Sequence, residues 1–282
     1  MSAPLLTTSP AISDMARRRL LSAGFDPFLF ADWQGVVFIH FLINPDVLRP
    51  HVPAPFELEL YQGQACISLV ALTMRRFRPC GFGSLAAWLF RPVPRQCFLN
   101  LRTYVRWRDE PGAFFLWGWL SKPFGLRLPV LSLGLPCGFG SLDYDHSCQT
   151  GTLKGVVIAS RGAGRFSYHA AIKADAEPQV CESGSLAEFA LERYTGFFCR
   201  GKSPYVFRAW HPPWLQTPID VTIEDDSLVT ARFPWFKAAT LGGANFAPRF
   251  ERVWLGRAHR LDKAVQADQA SRRVLSAFYD MP

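Results

Sequence analysis

Gly35 to Ile43 reads GVVFIHFLI, an unbroken apolar run rich in β-branched and aromatic residues. It predicts a strand buried on both faces. Asn44-Pro45 then supplies an N-cap with proline at the first helical position, predicting a short helical turn to Arg49. Upstream, the first dozen residues predict a disordered tail, followed by a short helix carrying Arg17 to Arg19. Downstream, Glu57–Tyr61 and Gln64–Arg75 flank a Gln62-Gly63 turn. Phe98–Trp107 and Ala113–Leu120 flank Arg108-Asp-Glu-Pro-Gly112, and Thr152–Ser160 and Arg165–Ala174 flank Gly162-Ala-Gly164. Each pair predicts a hairpin.

Ser185-Leu-Ala-Glu188 has capping-box spacing and predicts a helix to about Tyr194. Further strands are expected at Tyr205–Ala209, Ile219–Ile223, Leu228–Phe233 and Phe250–Leu255, and a last amphipathic helix from Asp262 to about Tyr279. Successive hairpins with few helices predict an α+β, mainly antiparallel barrel or strongly bent sheet. The expected organisation is a tail at 1–24, one β-rich domain at 25–260 and a terminal helix at 261–282.

Composition adds a chemical frame. Of the 282 residues, 49% are hydrophobic and 14% aromatic, ample for a large core or an aromatic-lined pocket. The net charge of +8 favours anionic ligands. Its arginines are scattered, with no dense Lys/Arg stripe on a helix, so no nucleic-acid partner is expected. Seven cysteines without a CxxC pair, and no apolar signal core, point to reduced thiols and a cytoplasmic protein. An acid-poor segment at residues 1–24 leaves an organelle transit peptide as the lesser alternative. No apolar run is long enough for a membrane span.

One heptapeptide occurs twice, Pro79-Cys-Gly-Phe-Gly-Ser-Leu85 and Pro136-Cys-Gly-Phe-Gly-Ser-Leu142. Two readings stand: paired loops closing over one pocket, or two similar turns where glycine supplies unusual backbone angles. Gly81-x-Gly83-x-x-Ala86 imitates a dinucleotide fingerprint but lacks the strand–helix context. No cofactor is expected, and no His/Cys/carboxylate cluster has metal spacing.

Three segments together carry a resemblance. They are Trp33 to Phe41 with Pro53-Ala-Pro55-Phe56, then Asn100-Leu-Arg-Thr-Tyr-Val105, then Leu191-Glu-Arg-Tyr194 with Trp210-His-Pro-Pro-Trp214. In this order they resemble the YqjF-like proteins, a family of unknown function allied to the acetoacetate decarboxylase-like superfamily. The resemblance runs from about Trp33 to Trp254. It implies a cone-like β-barrel with outer helices and a pocket within. In that superfamily's decarboxylases, a lysine in a Gly-x-Pro-Lys segment forms a Schiff base with a keto acid. The matching segment here is Gly134-Leu-Pro136-Cys137, so the lysine position is Cys137. Where YqjF-like chains usually carry a glutamate two residues before the asparagine, this chain has Phe98. Both departures argue against imine chemistry.

Strand period places Phe98, Asn100, Arg102, Tyr104 and Arg106 on one face, and Leu99, Leu101, Thr103, Val105 and Trp107 on the other. In a barrel the even face can present Arg102 to a carboxylate. Otherwise it faces solvent, or Arg102 pairs with Glu192. Trp117, Trp119 and Trp214 join Phe98 and Asn100 as candidate ligand lining. His40 is either a hydrogen-bonded core histidine or an acid–base group. His211 reads as a stacking anchor, and Glu192-Arg193 as a local ion pair. Cys137 with His146 is a conceivable thiolate pair. Lys237 and Lys122 are weak candidates for a catalytic amine.

The favoured expectation is a pocket binding a small anionic or carbonyl-bearing molecule without Schiff-base chemistry. The alternative is a lyase or isomerase using His40, Tyr104 and Arg102. A basic membrane or nucleic-acid module trails both, and a homo-oligomer stays open.

Overall fold

The computed structural model describes residues 9–21, 27–79, 95–121, 133–147, 150–160, 162, 164–173 and 176–262. Helix α1 (Ser9–Leu21) begins inside the stretch expected as tail. The GVVFIHFLI run is the inner part of β1 (Pro27–Ile43), whose last nine residues are nearly all buried. Asn44 accepts from the Asp46 amide and opens α2 (Pro45–Leu48). Short strands β2 (Glu57–Leu58) and β3 (Leu60–Tyr61) precede β4 (Gln64–Pro79), β5 (Gln96–Trp107) and β6 (Glu110–Ser121). Then come β7 (Cys137–His146), β8 (Thr152–Ala159), β9 (Arg165–Ile172) and helix α3 (Leu186–Leu191), capped by Ser185. Strands β10 (Thr195–Arg200), β11 (Ser203–Trp210) and β12 (Thr217–Asp225) lead into α4 (Ser227–Arg232). Strands β13 (Thr240–Gly256) and β14 (His259–Arg260) complete the order.

Three local expectations are corrected. Leu228–Arg232 is helical and Phe233 caps it; Asp225 receives the Ser227 amide and the Asp226 carbonyl receives those of Val229 and Thr230. That turn buries Leu228 and Val229 as well as a strand would. The segment after α3 turns directly into β10, since the helix stops at Leu191. The second heptapeptide copy is neither a turn nor a loop. From Cys137 it lies in β7, parallel to β6 and antiparallel to β8. Gly140 is there for room, as a Cβ would meet the Ile158 carbonyl oxygen at 2.6 Å. The first copy beyond Pro79, Lys122 and the expected terminal helix beyond Asp262 lie outside the described residues.

The sheet closes in a forked ring. Strands β13, β1, β4, β5 and β6 form one continuous wall. Its two outer strands each change partner along their length. β6 pairs with β10 at Ala113 and Phe114, but with β7 from Gly118 to Ser121. β13 pairs with β12 at Asn245 and Phe246, but with β11 at Trp254 and Leu255. One ring therefore runs through β7, β8, β9 and β12, the other through β10 and β11. The mixed sheet is a bent, irregular barrel, as the resemblance implies. Among the described residues only the β6–β7 and β6–β10 pairings are parallel.

The wall has two buried faces. Val37, Ile39, Ile67, Leu69, Leu99 and Leu101 pack with Leu153, Val157 and Phe166 of the β7–β12 ring. Phe38, Val70, Leu72 and Phe98 pack with Phe198 and Phe207 of the β10–β11 ring. Asp32 pins the wall at one end. It sits where β1 breaks register with both neighbours, binds Arg76 and Arg78, and accepts the Arg252 amide at 2.9 Å. Arg76 and Arg252 adopt φ of 49° and 55°, unusual for non-glycine residues, and this buried carboxylate holds both bulges.

Candidate functional site

The even face of the wall carries the polar chemistry. Direct cross-strand register sets His40 beside Ser68 and Ser68 beside Arg102. The side chains all point into the β10–β11 ring because alternate residues share a face. There lies a cavity of about 70 Å³. Trp33, Phe38, Phe98, Asn100 and Arg102 line it from the wall, and Arg193, Tyr194, His211 and Trp214 from across it. Leu133 and Leu135, just ahead of Cys137, close one side.

Arg102 donates from Nη2 to the Ala190 carbonyl at 3.0 Å. Its guanidinium lies 5.6 Å from the Phe38 ring and 5.7 Å from the Tyr104 ring. Glu192 is occupied elsewhere, accepting from the Trp214 amide at 2.9 Å and from the Tyr194 hydroxyl at 2.5 Å. Burial raises the Glu192 pKa. Arg193 pairs instead with Glu59, and its guanidinium lies over the Tyr104 and Phe189 rings.

Among the described residues, four lining side chains hold a buried polar atom without a hydrogen-bond partner: Trp33 Nε1, Asn100 Oδ1, Arg102 Nε and Trp214 Nε1. Each such atom costs about 1–3 kcal/mol relative to a satisfied one. Three are donors and one is an acceptor, so the lining as a whole favours an oxygen-rich guest.

Behind Arg102 the polar groups are satisfied. Tyr104 Oη lies 2.6 Å from Ser68 Oγ, which lies 2.7 Å from His40 Nδ1. His40 Nε2 reaches Asn245 Oδ1 at 3.2 Å, and Asn245 Nδ2 donates to Gln216 Oε1 at 2.6 Å. Since Asn245 Oδ1 can only accept, His40 Nε2 carries a proton, and in the neutral ring Nδ1 accepts from Ser68. Ser68 in turn accepts from Tyr104. Burial is what keeps the imidazole neutral. Burial lowers its pKa to about 3, and the Arg102 charge lowers it further than the Asn245 bond restores. Burial likewise raises the Tyr104 hydroxyl. Neither His40 nor Tyr104 lines the cavity. They brace its Arg102 wall.

The other candidates are dispersed. Trp214 lines the cavity, stacked 6.0 Å from Trp33 and edge-on to Phe38 at 4.9 Å. Trp117 and Trp119 lie on the opposite face, in the other ring's core. The cause is a bulge in β6: Leu101 faces Trp117 while Arg102 faces Phe115, leaving Leu116 extra. Phe115 stays on the cavity side, and everything after Leu116 is flipped. Arg232 covers the Trp117 ring at 3.2 Å.

Cys137 is half-buried at the start of β7, opposite Gly118, and burial pushes its thiol up to about 11. His146 closes the same strand, roughly 30 Å away at about 3.3 Å per residue. Its Nδ1 lies 2.6 Å from the Gly35 carbonyl and its Nε2 2.7 Å from Tyr168 Oη, so the two do not form a thiolate pair. Gly134 has φ of 71°, and the Leu133 and Gly134 carbonyls receive Arg200. A side chain at Gly134 would collide with that guanidinium. Lys237 is exposed, and no described lysine lines the cavity. His211 does line it, buried, donating to the Pro212 carbonyl at 2.7 Å and stacked on Tyr194 at 4.5 Å. Among the described residues no group of three His, Cys, Asp or Glu is placed to hold a metal ion, and no helix is long and apolar enough to cross a membrane.

Sequence reasoning missed Ser68, Asn245 and Tyr194. Ser68 left a signal, a lone hydroxyl in the apolar run Ala65–Leu72 on the same alternation as Val70, and Tyr194 stands in the Leu191-Glu-Arg-Tyr194 segment without its own role being read there.

The fold has solved counterparts. An acetoacetate decarboxylase-like enzyme from Sphingomonas wittichii RW1 superposes with a TM-score of 0.56 at 14% identity, covering 84% of this chain and 94% of its own. The enduracididine biosynthesis enzyme MppR complexed with pyruvate gives 0.56 at 16% identity, covering 85% and 93%. Acetoacetate decarboxylase from Legionella pneumophila gives 0.51 at 15% identity, covering 84% and 88%. The architecture is thus the acetoacetate decarboxylase-like barrel. Within it, the chain belongs to DUF2071, a family of uncharacterized conserved proteins whose pattern matches residues 31–239. It is 28% identical over 203 residues to the uncharacterized protein YqjF of Bacillus subtilis, spanning 71% of this chain and 79% of that one.

Proposed function

We propose that this chain binds a small anionic or carbonyl-bearing molecule in the cavity beside Arg102, without Schiff-base chemistry. The observation that carries this reading is the set of four unpaired polar atoms on Trp33, Asn100, Arg102 and Trp214. A carboxylate or carbonyl supplies oxygen acceptors for three of them, and charge-assisted bonding favours Arg102 as the anchor. A volume of about 70 Å³ suits a guest of a few heavy atoms. The absence of a lysine from the described lining, with Cys137 where the resemblance matches the lysine of the superfamily's decarboxylases, supports binding without an imine.

Pyruvate is the first probe, read by fluorescence of Trp33 and Trp214. Saturable quenching is expected, weakened about tenfold or more in Arg102→Leu. Borohydride added with pyruvate should leave the protein mass unchanged. No saturable response to pyruvate, acetate or acetoacetate would overturn the reading, and a reduced adduct would overturn its second half.

The hydrogen-bond chain from Tyr104 through Ser68 to His40 favours a second reading, a lyase or isomerase moving a proton beside a carbonyl. It ranks behind the first because both ends of the chain are buried away from the cavity lining. Deuterium exchange into the pyruvate methyl group, accelerated by the protein and lost in His40→Gln, would promote it.

A further inference from the structure

A second space adjoins the cavity. A groove of about 550 Å³ lies between α1 and the barrel, lined by Met15 and Ala16 of α1 and by Tyr61 and Phe189 opposite, with charged side chains such as Arg19, Arg106 and Glu188 also along it. Arg193, Tyr194 and Thr195 line both this groove and the inner cavity, so the wall between them is one short segment of chain. Helix α1 is tied to that wall. Ser13 Oγ donates to the His211 carbonyl at 2.9 Å, Trp210 Nε1 donates to the Ser13 carbonyl at 3.1 Å, and Arg17 sits 5.2 Å over the Trp210 ring. His211 itself lines the cavity and stacks on Tyr194.

We infer that the two spaces form one bipartite site, whose ligand is a keto acid with an extended, largely apolar tail. This rests on the proposed binding at Arg102. The inner cavity admits only a head group, and Arg102 selects it. The tail lies in the groove, against Phe189, Tyr61 and Met15. Tyr194 is the piece that separates them, held by its hydroxyl on Glu192 and its ring on His211. Turning its ring joins the spaces without disturbing a strand. Met15 is half exposed, an apolar side chain offered to the groove and left out of the core. Its partner here is the ligand's chain.

The test is a length series of pyruvate, α-ketohexanoate and α-ketooctanoate, titrated against the full chain by tryptophan fluorescence. Affinity should rise with length, by up to roughly fourfold per methylene buried, and at least about tenfold across the series. Met15→Asp, an exposed position where folding is retained, should abolish the gain and leave pyruvate affinity unchanged. Ala16→Trp, which fills the groove, should do the same, with its melting curve reported alongside. If pyruvate binds and length makes no difference, the bipartite site is wrong and the Arg102 reading stands. If long acids bind tighter but Met15→Asp is silent, the tail lies elsewhere and the inference falls. If no acid of the series binds, both fall.

Discussion

Leu101 and Arg102 are neighbours in β5, yet they serve opposite sides of the wall. Leu101 faces the β7–β12 ring, where the wall contributes a mostly apolar face of aliphatic and aromatic side chains, Trp119 among them. Arg102 faces the β10–β11 ring, where the same strands contribute His40, Ser68, Asn100 and Tyr104, all buried. Burial alone does not separate the two faces. Satisfaction does. The odd face is mostly apolar and its buried Thr103 hydroxyl donates to the Cys66 carbonyl, the inner even face is satisfied by its own hydrogen-bond chain, and the cavity lining is left short of partners. The cavity's unsatisfied polar atoms thus lie on one side of a shared wall, and the more uniformly apolar packing on the other.

The largest expected effect breaks the comparison if it fails. Leu101→Ala should destabilise the fold by about 2–5 kcal/mol, a transfer loss plus the void left in a packed core. Urea denaturation measures it. Affinity for pyruvate should change little in the folded fraction. Arg102→Leu should do the reverse. It should cost about tenfold or more in pyruvate affinity, about 1.4 kcal/mol, while stability holds or rises because a half-buried charge with an unpaired nitrogen is removed. Equal stability losses at both positions would mean that the faces are energetically alike.

Acid should strain both sides together. Burial, the first cause in each case, lowers the pKa of His40 to about 3 and of His146 and His211 to about 4, against an ordinary 6.5. Between those values the unfolded chain binds more protons than the folded one. Stability from these groups is therefore full above about pH 6.5 and falls as the pH drops through that window. The slope approaches about 1.4 kcal/mol per pH unit for each histidine. Urea midpoints between pH 7.5 and 5 report it. His146→Gln, on the core side, should remove one histidine's share of the slope and leave pyruvate binding untouched. An unchanged slope would show that this imidazole is not held neutral.

Much of this organisation was legible in the sequence, and the exceptions are instructive. Alternation along Phe98–Trp107 set Phe98, Asn100, Arg102 and Tyr104 on one face, because a strand's period survives any topology. The barrel class followed from hairpins whose turns carry their own chemistry. The fork did not, since β6 and β13 change partners by register and no residue announces it. Ser68 and Asn245 belong with His40 only because β4 and β13 flank β1, a fact of sheet order. Leu228–Phe233 has the composition of a strand, yet it is helical to Arg232, behind two aspartates that receive its first amides. The heptapeptide repeat looked like punctuation because Gly-x-Gly usually is, whereas in β7 it clears space for a neighbouring strand.

The smallest effects are expected where sequence motif and geometry part. Trp117 stands two residues past Phe115, and an unbroken strand would put both in the cavity. The extra Leu116 sends Trp117 to the other ring instead. Trp117→Phe should therefore alter pyruvate affinity less than about twofold, with only a modest stability cost from the lost Arg232 stacking. Cys137→Ser should be equally quiet in binding. The native thiol should also react slowly with iodoacetamide at neutral pH, because burial holds its pKa near 11 and leaves little thiolate. Rapid alkylation blocked by pyruvate would contradict this expectation. It would put Cys137 at the guest's edge, and the residue that the resemblance matches to the lysine of that superfamily's decarboxylases would regain a claim to chemistry.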